Sequence, residues 1–175
     1  MNDGDVVLIR PYAAADWPRV WAILEPVFRA GETYAFPREI SAEQAREAWT
    51  TGGKQVFVAM DEPSGEVLGT YYLKSNFEGA ASHICNCGYV VSERARGRGI
   101  AARMCEHSQR EALACGFRAM QYNLVVSSNE SAVHLWRKMG FTIVGTIPEA
   151  FRHPRLGFVD AYVMHKRLRT AEPSA

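Results

Sequence analysis

The chain has 175 residues, of which 47% are apolar, 22% charged and 11% aromatic. This length suits one domain of about 100 to 200 residues, and the composition excludes disordered, collagen-like and coiled-coil chains. Twenty Lys and Arg oppose nineteen Asp and Glu, so the net charge of +1 gives no overall field for nucleic acid or an anionic membrane. We therefore expect no nucleic-acid partner and no membrane partner.

The sequence also bears on the cellular location of the protein and on the state of its cysteines. No apolar stretch approaches the roughly 18 residues that span a bilayer, and the start, Met1-Asn2-Asp3-Gly4-Asp5, is acidic, unlike a signal peptide. We expect a cytoplasmic protein with four free thiols, namely Cys85, Cys87, Cys105 and Cys115. The alternative is a zinc site on one strand face from His83, Cys85 and Cys87, but no fourth ligand is evident, and we predict no metal.

The first third of the chain predicts one strand and two helices. The predicted elements are a strand over 6–10 and a helix that begins after its cap Asp16 and is closed by Pro26 and Gly31. A loop over 31–37 follows, and then a second helix that begins within 41–44 and runs to about residue 51. Ser41-Ala42-Glu43-Gln44 fits the capping-box pattern, which fixes the start of the second helix.

From residue 55 the pattern becomes extended and then alternates with helices. The predicted elements are strands over 56–60, 67–73 and 84–91, a helix over 100–115, a strand over 119–126, a helix capped within 127–130, and strands over 142–146 and 158–166 around a loop over 148–157. This order predicts one α+β domain over 1–169, a mixed sheet of about seven strands covered by about four helices, and a disordered tail over 170–175.

The clearest chemical pattern is the glycine-rich turn between the strand over 84–91 and the following helix. The first amides of a helix lack backbone partners and lie at its positive end, so Gly97 and Gly99 would let a diphosphate approach them. Three arginines add donors, Arg94, Arg96 and Arg98. A tight turn with surface arginines is the alternative. The P-loop and the dinucleotide fingerprint are excluded, because no Lys-Ser or Lys-Thr follows Gly99 and position 102 is Ala102.

The segment Arg96-Gly97-Arg98-Gly99-Ile100-Ala101 resembles the coenzyme A diphosphate signature of the GCN5-related N-acetyltransferases. Asn129-Glu130-Ser131-Ala132 resembles their later Asn-x-x-Ala segment, and the order of elements is theirs over nearly the whole chain. The resemblance implies acetyl-CoA as cosubstrate, a mostly antiparallel sheet whose central strands splay apart, and a homodimer. It also implies that backbone groups of Tyr89, Val90 and Val91 bind the pantetheine arm, with Asn129 on its far side.

A closer resemblance links four segments to the fungal acetyltransferases of azetidine-2-carboxylate and cis-4-hydroxyproline. These segments are 31–34, 72–76, 82–86 and 122–125. The resemblance implies that Asn86 and Asn123 hold the substrate, with Thr33 and Tyr34 beside them, although Cys87 and Ser75 depart from the pattern. An amide inside an apolar strand costs about 1 to 3 kcal/mol unless it is partnered, so both asparagines require a reason. A backbone bond at a bulge is the alternative reason.

Together these patterns predict an acetyl-CoA-dependent N-acetyltransferase whose acceptor is a small amine, an amino acid or imino acid. The amine would attack the thioester directly in a ternary complex. Glu32, then His83, are the candidate bases; bracing of residues 33–34 is the alternative for Glu32, and a structural role is the alternative for His83. Trp136 stands where many relatives carry a tyrosine acid. A protein acetyltransferase and a non-catalytic coenzyme A sensor are the other functions that the sequence leaves open.

Overall fold

A computed structural model describes residues 7–169, and the predicted tail over 170–175 lies outside that range. The elements are β1 (Val7–Pro11), α1 (Trp17–Ala30), α2 (Ala42–Thr50), β2 (Gln55–Asp61), β3 (Val67–Ser75), β4 (Ile84–Val91), α3 (Ile100–Ala114), β5 (Ala119–Val126), α4 (Glu130–Lys138), β6 (Thr142–His153) and β7 (Gly157–Arg167). Short 3-10 turns precede α1, β4 and α3. The predicted order of strands and helices is confirmed.

One sheet contains the seven strands of the described range, in the order β1-β2-β3-β4-β5-β7-β6. Every neighbouring pair is antiparallel except β4 and β5, which run parallel. These two strands pair only at Ile84↔Ala119 and Cys85↔Met120 and then diverge. The predicted α+β fold with splayed central strands is therefore confirmed, and the opening between β4 and β5 begins at Asn86.

The sheet buries an apolar core on each face. Side chains of β4 alternate between the two, because Cys85 and Cys87 belong to the core beneath α3 and α4, whereas Val90 belongs to the core beneath α1 and α2. Trp49 of α2 is fully buried and donates from its indole nitrogen to Thr70 of β3 at 3.3 Å. No helix among residues 7–169 has the length and apolar character needed to cross a membrane.

Helix α1 begins and ends for reasons that differ in part from the prediction. The carboxylate of Asp16 makes no cap bond to the helix; it accepts from the Ala13 amide at 2.8 Å and from Arg10 at 2.7 and 2.8 Å. The hydrogen bond from Arg10 holds the pKa of Asp16 below its ordinary value. Pro26 does not end the helix. Leu24 and Phe28 pack in the core on either side of it, and the helix continues to Ala30, before Gly31. By contrast, the predicted capping box of α2 is confirmed.

The predicted loop over 148–157 is wrong, because β6 continues to His153 and pairs with β7 as far as Gly157. A bulge between Ile147 and Phe151 absorbs the proline at 148 and gives Glu149 a φ of 49°. A proline is tolerated here because β6 is an edge strand. Beyond the bulge, Phe151 and His153 are buried, so this hairpin presents ordered side chains where a loop was predicted.

Candidate active site

The turn before α3 leaves a set of backbone amides unpaired. Gly97 and Gly99 have φ values of 77° and 74°, and a Cβ at either position would meet no heavy atom within 4 Å. The amides that donate to no backbone carbonyl within residues 7–169 include those of Gly97, Gly99, Ile100 and Ala101. Four amides at the positive end of a 15-residue helix fit an anionic diphosphate.

Two arginines of this turn differ in their surroundings. The Arg96 side chain is 68% exposed and lies 4.0 Å from the Glu93 carboxylate. The Arg98 guanidinium lies 3.8 Å from the carboxylate of Asp61 at the end of β2 and is more covered. Of these two, Arg96 is therefore the more available to a ligand in solvent, whereas Arg98 ties the turn to the sheet, and Arg94 is exposed as well.

The backbone of β4 faces the opening at alternate residues. The Ile84 carbonyl accepts from the Asn76 amide and the Ser92 amide donates to the Leu68 carbonyl, so even-numbered residues direct their backbone groups toward β3. Tyr89 and Val91 therefore direct theirs into the opening, whereas Val90 is bonded within the sheet. Three residues were predicted to bind the pantetheine arm, and two of them have backbone groups that face the opening.

Tyr34 connects the α1–α2 loop to the rim of this opening. Its hydroxyl donates to the Tyr89 carbonyl at 3.0 Å, and its ring packs against Phe28, Phe36 and Trp49. Burial raises the pKa of the Tyr34 phenol well above its ordinary value, so the hydroxyl stays a donor at neutral pH. The aromatic contacts thus hold the loop, with Thr33 adjacent in the chain, against β4.

The two candidate bases lie in different places. Glu32 is in the α1–α2 loop, and its Oε1 lies 2.9 Å from Nη2 of Arg155 in the β6–β7 hairpin, with 38% of its side chain exposed. The partner is not residues 33–34, which the bracing alternative had named. His83 is exposed and precedes β4 at the closed end of the opening, where its carbonyl accepts from the Arg118 amide at 2.9 Å. Of the two candidate bases, Glu32 is therefore the one that lies in the α1–α2 loop, away from the closed end of the opening.

Asn86 and Asn123 project from the same face of the sheet, the face covered by α1 and α2. Asn86 is 8% exposed, and its side-chain amide has no hydrogen bond within the described range. Asn123 is exposed and forms a reciprocal amide pair with Asn76, at 3.0 and 2.7 Å. Gln121 also donates to Asn123, at 3.0 Å. The structure thus places one uncommitted amide and one amide pair along the opening.

Lysines that sequence reasoning missed lie on this face as well. Lys74 is the cross-strand neighbour of Asn86, is half-buried, and has no carboxylate within 4.0 Å among residues 7–169. Lys54 lies over the ring of Tyr72 at 5.5 Å, and burial, together with the charge of Lys74, lowers the pKa of Lys54. The alternation of β3 could have identified Lys74. Arg155 gave no signal, because its hairpin was predicted as a loop.

Residues of α4 border the wide end of the opening. Asn129 caps α4, because its side-chain oxygen accepts from the Ala132 amide at 3.3 Å, which leaves its NH₂ group without a bond in the described range. Trp136 is 8% exposed, and its ring lies 5.0 Å from those of Tyr89 and Tyr122. Asn129 is therefore placed to offer donors, whereas Trp136 belongs to the core.

The thiols are separate from this chemistry. All four cysteines are free, and three are buried, Cys85, Cys87 and Cys105. Burial raises the pKa of Cys85 to about 12, which keeps it a thiol. His83 is exposed while its two cysteine neighbours are buried, and no three His, Cys, Asp or Glu residues in the described part of the chain could hold one metal ion.

Comparison with known proteins agrees with this geometry. Residues 17–141 match the model of the acetyltransferase (GNAT) family. The N-acetyltransferase aca1 of Schizosaccharomyces pombe is 34% identical over 118 residues, which are 67% of this chain and 56% of the yeast protein. An L-methionine sulfoximine/L-methionine sulfone acetyltransferase of Pseudomonas aeruginosa is 31% identical over 148 residues, 81% of this chain and 83% of that one.

A solved structure is also similar. The GCN5-related N-acetyltransferase from Kribbella flavida is 40% identical, with a TM-score of 0.88, over 93% of this chain and 98% of its own. The chain belongs to the GNAT acetyltransferase family, which confirms the family resemblance in the sequence. The similarity to the yeast protein supports the closer, fungal resemblance, although this chain spans little more than half of that protein's length.

Proposed function

We propose that this protein transfers the acetyl group of acetyl-CoA to the amine of a small amino or imino acid. The observation that carries the proposal is the opening between β4 and β5. It starts beside the buried amide of Asn86, passes the outward-facing backbone of Tyr89 and Val91, and ends at the unpaired amides before α3. One ligand can therefore reach from an anion site to a polar site through the sheet.

Acetyl-CoA would lie along this path as substrate. The amides at 97–101 and the Arg96 guanidinium would hold its diphosphate, while Tyr89, Val91 and the NH₂ group of Asn129 would hold its arm. A backbone N–H of β4 that faces the opening would meet the negative charge that develops on the thioester oxygen. In the described range the amides of Gly97 and of residues 99–101 and the NH₂ group of Asn129 have no protein partner, whereas the Tyr89 carbonyl already accepts from Tyr34 and would share that bond with the arm.

The acceptor would lie on the α1–α2 face. Asn86, Asn123 and the positive charge of Lys74 suit a carboxylate, which leaves the amine free to attack. This assignment is supported by the Pseudomonas relative, whose name gives two amino-acid derivatives as acceptors. The neutral side-chain amides alone would suffice to position the carboxylate of the acceptor. The positive charge of Lys74 adds a preference for anionic acceptors.

The reaction needs a neutral amine and a leaving thiolate. An α-amino group has a pKa near 8, so it must lose a proton, and a water-linked Glu32 is the proposed base. The amine nitrogen then bonds to the thioester carbon, the carbon–sulfur bond breaks and the sulfur leaves as thiolate, and the nitrogen loses its second proton to solvent. A thiol of pKa about 8.5 departs without an acid, which accords with Trp136, whose indole cannot supply a proton at neutral pH.

The Glu32–Arg155 ion pair bears on the alternative function. It connects the α1–α2 loop to the β6–β7 hairpin. A peptide substrate would have to lie across this bridge, which disfavours a protein acetyltransferase. A cytoplasmic location and a homodimer are part of the same proposal, and sedimentation of the purified protein would test the dimer.

The proposal is tested by ligand binding and turnover. Acetyl-CoA should raise the melting temperature, and thiol release should be fastest with amino or imino acids in a panel that also contains polyamines, aminoglycosides and peptides. Preference for a peptide would refute the acceptor class. Binding without release for any acceptor would favour the coenzyme A sensor, and absence of binding would refute the site.

The role of Glu32 has a matched control. We expect kcat/KM to rise with pH to a plateau and Glu32→Gln to flatten or displace that profile. Arg155→Gln breaks the same ion pair but keeps the carboxylate. If both variants change the rate equally and keep the wild-type profile, Glu32 is a brace and not the base.

A further inference from the structure

The α1–α2 loop and the β6–β7 hairpin border an open cavity of about 660 Å³. Its lining includes three rings, Tyr34, Phe36 and Phe151, and three longer polar side chains, Arg38, Arg152 and His153. Because the Tyr34 hydroxyl donates to the Tyr89 carbonyl, the cavity and the opening between β4 and β5 share Tyr34 as a wall. A substrate whose amine lies in the opening can therefore place another group in the cavity.

His153 is a buried polar residue in this lining. It is 6% exposed, and its Nδ1 accepts from the backbone amides of Arg155 and Leu156, each at 3.2 Å. An imidazole nitrogen that accepts carries no proton, so the ring proton of neutral His153 is on Nε2. The two backbone bonds also fix the ring to the turn of the hairpin, which gives Nε2–H one direction.

The Nε2–H group has no acceptor in the described part of the chain. Among residues 7–169, the one fully covered side-chain nitrogen or oxygen without a hydrogen bond is the Tyr12 hydroxyl. The Nε2 atom is therefore not sealed within protein, and His153 is one of the residues that line the cavity. A fixed donor without a protein partner, on a residue that lines a cavity, marks a place for an acceptor atom of a ligand.

We propose that His153 determines acceptor specificity by donating from Nε2 to an oxygen on the side chain of the amino acid. The rings of Tyr34, Phe36 and Phe151 would pack against the apolar stem of that side chain. The inference rests on the proposed function, which assigns the α-carboxylate to the asparagines and Lys74 on the sheet. A single neutral donor suits a neutral oxygen, such as that of a sulfone, an amide or a hydroxyl.

Two substitutions separate donation from support of the hairpin. In His153→Asn, the amide oxygen takes the approximate place of Nδ1 and accepts the two backbone amides, but nothing reaches the place of Nε2. In His153→Gln, the side-chain NH₂ reaches toward the place of Nε2, but the backbone amides lose their acceptor. Melting temperatures of both variants report the structural contribution, and initial rates report the donor.

The probes are L-methionine and L-methionine sulfone, which differ in the side-chain oxygens. We expect wild type to prefer the sulfone and His153→Asn to raise the KM of the sulfone about tenfold. The KM of methionine should change less than twofold, as should the KM of acetyl-CoA. His153→Gln should retain more of the preference at a lower melting temperature.

Three results would overturn the proposal. These are a wild type without preference for the sulfone, an unchanged preference in His153→Asn, and a two-bond ¹H–¹⁵N spectrum that places the His153 proton on Nδ1. If no amino acid is acetylated at all, the proposed function fails and this inference fails with it. If amino acids are acetylated but His153→Asn behaves as wild type, the inference alone is refuted.

Discussion

Substitution of Gly99 by valine tests the proposed anion site most directly. Gly99 has a φ of 74°, a conformation that costs a residue with a side chain about 1 to 2 kcal/mol. A Cβ there meets no heavy atom within 4 Å, so the side chain points into open space where it leaves the backbone, and we expect the free protein to remain folded. Relaxation of the strained φ would rotate the peptide planes on either side of the residue and turn the adjoining amides away from the ligand.

The effect on binding follows from the bonds that are lost. A hydrogen bond to a charged group contributes about 1.5 to 3 kcal/mol, so two misaligned amides cost about 3 to 6 kcal/mol. We therefore expect Gly99→Val to raise the Kd of acetyl-CoA at least about 100-fold. Isothermal titration calorimetry measures this change directly.

Gly116, at the other end of α3, provides a matched control. Its φ is 84°, and a Cβ there also meets no heavy atom within 4 Å. Gly116→Val therefore carries similar backbone strain at a distance from the amides of the turn. Equal Kd values for the two folded variants would refute the assignment of this turn to the diphosphate.

Three further predictions concern the acceptor, the leaving group and stability. Asn86→Ala should raise the acceptor KM by a factor that corresponds to about 1 to 3 kcal/mol, without changing the KM of acetyl-CoA. Loss of acetyl-CoA affinity instead would contradict the proposed role of Asn86 in acceptor binding. Trp136→Phe should lower kcat less than tenfold in steady-state assays, because Trp136 belongs to the core; a thousandfold loss would show that an acid had been removed. Asp16→Asn should lower the free energy of unfolding by about 2 kcal/mol at neutral pH, because Arg10 loses a charged partner. Since the pKa of Asp16 is lowered by folding, that stability is present above pH 3.8 and disappears as pH falls through the folded value, so urea denaturation at about pH 3 should show a smaller difference than at about pH 7.

Features that depend on neighbouring residues in the sequence were predicted well. The capping box of α2 and the glycine turn before α3 are local, because their geometry follows from side chains or φ values within a few positions. The strands predicted over 84–91 and 119–126 also placed Asn86 and Asn123 correctly within β4 and β5. Local pattern therefore suffices for the elements and for the turn that we propose as the anion site.

Features that depend on distant residues were not predictable in the same way. The amide pair of Asn76 and Asn123 joins residues 47 positions apart, and the Glu32–Arg155 contact joins the loop to a hairpin formed late in the chain. The hairpin itself was missed because a proline at 148 indicates a break, whereas a bulge at the sheet edge accommodates it. The proposed acceptor side of the site is made of such long-range contacts, so it required the structure.

The two-residue pairing of β4 with β5 gives a central strand the exposure of an edge. β4 is fourth of seven in the sheet, yet beyond Cys85 one of its sides has no strand partner in the described range. Its amides at 89 and 91 should therefore exchange hydrogen faster than those of β3, and a bound arm should slow them. An unpaired strand side is also a template for foreign strands, so ligand-free protein should aggregate sooner on heating than protein saturated with acetyl-CoA. The substrate would then act as a temporary strand that protects its own binding site.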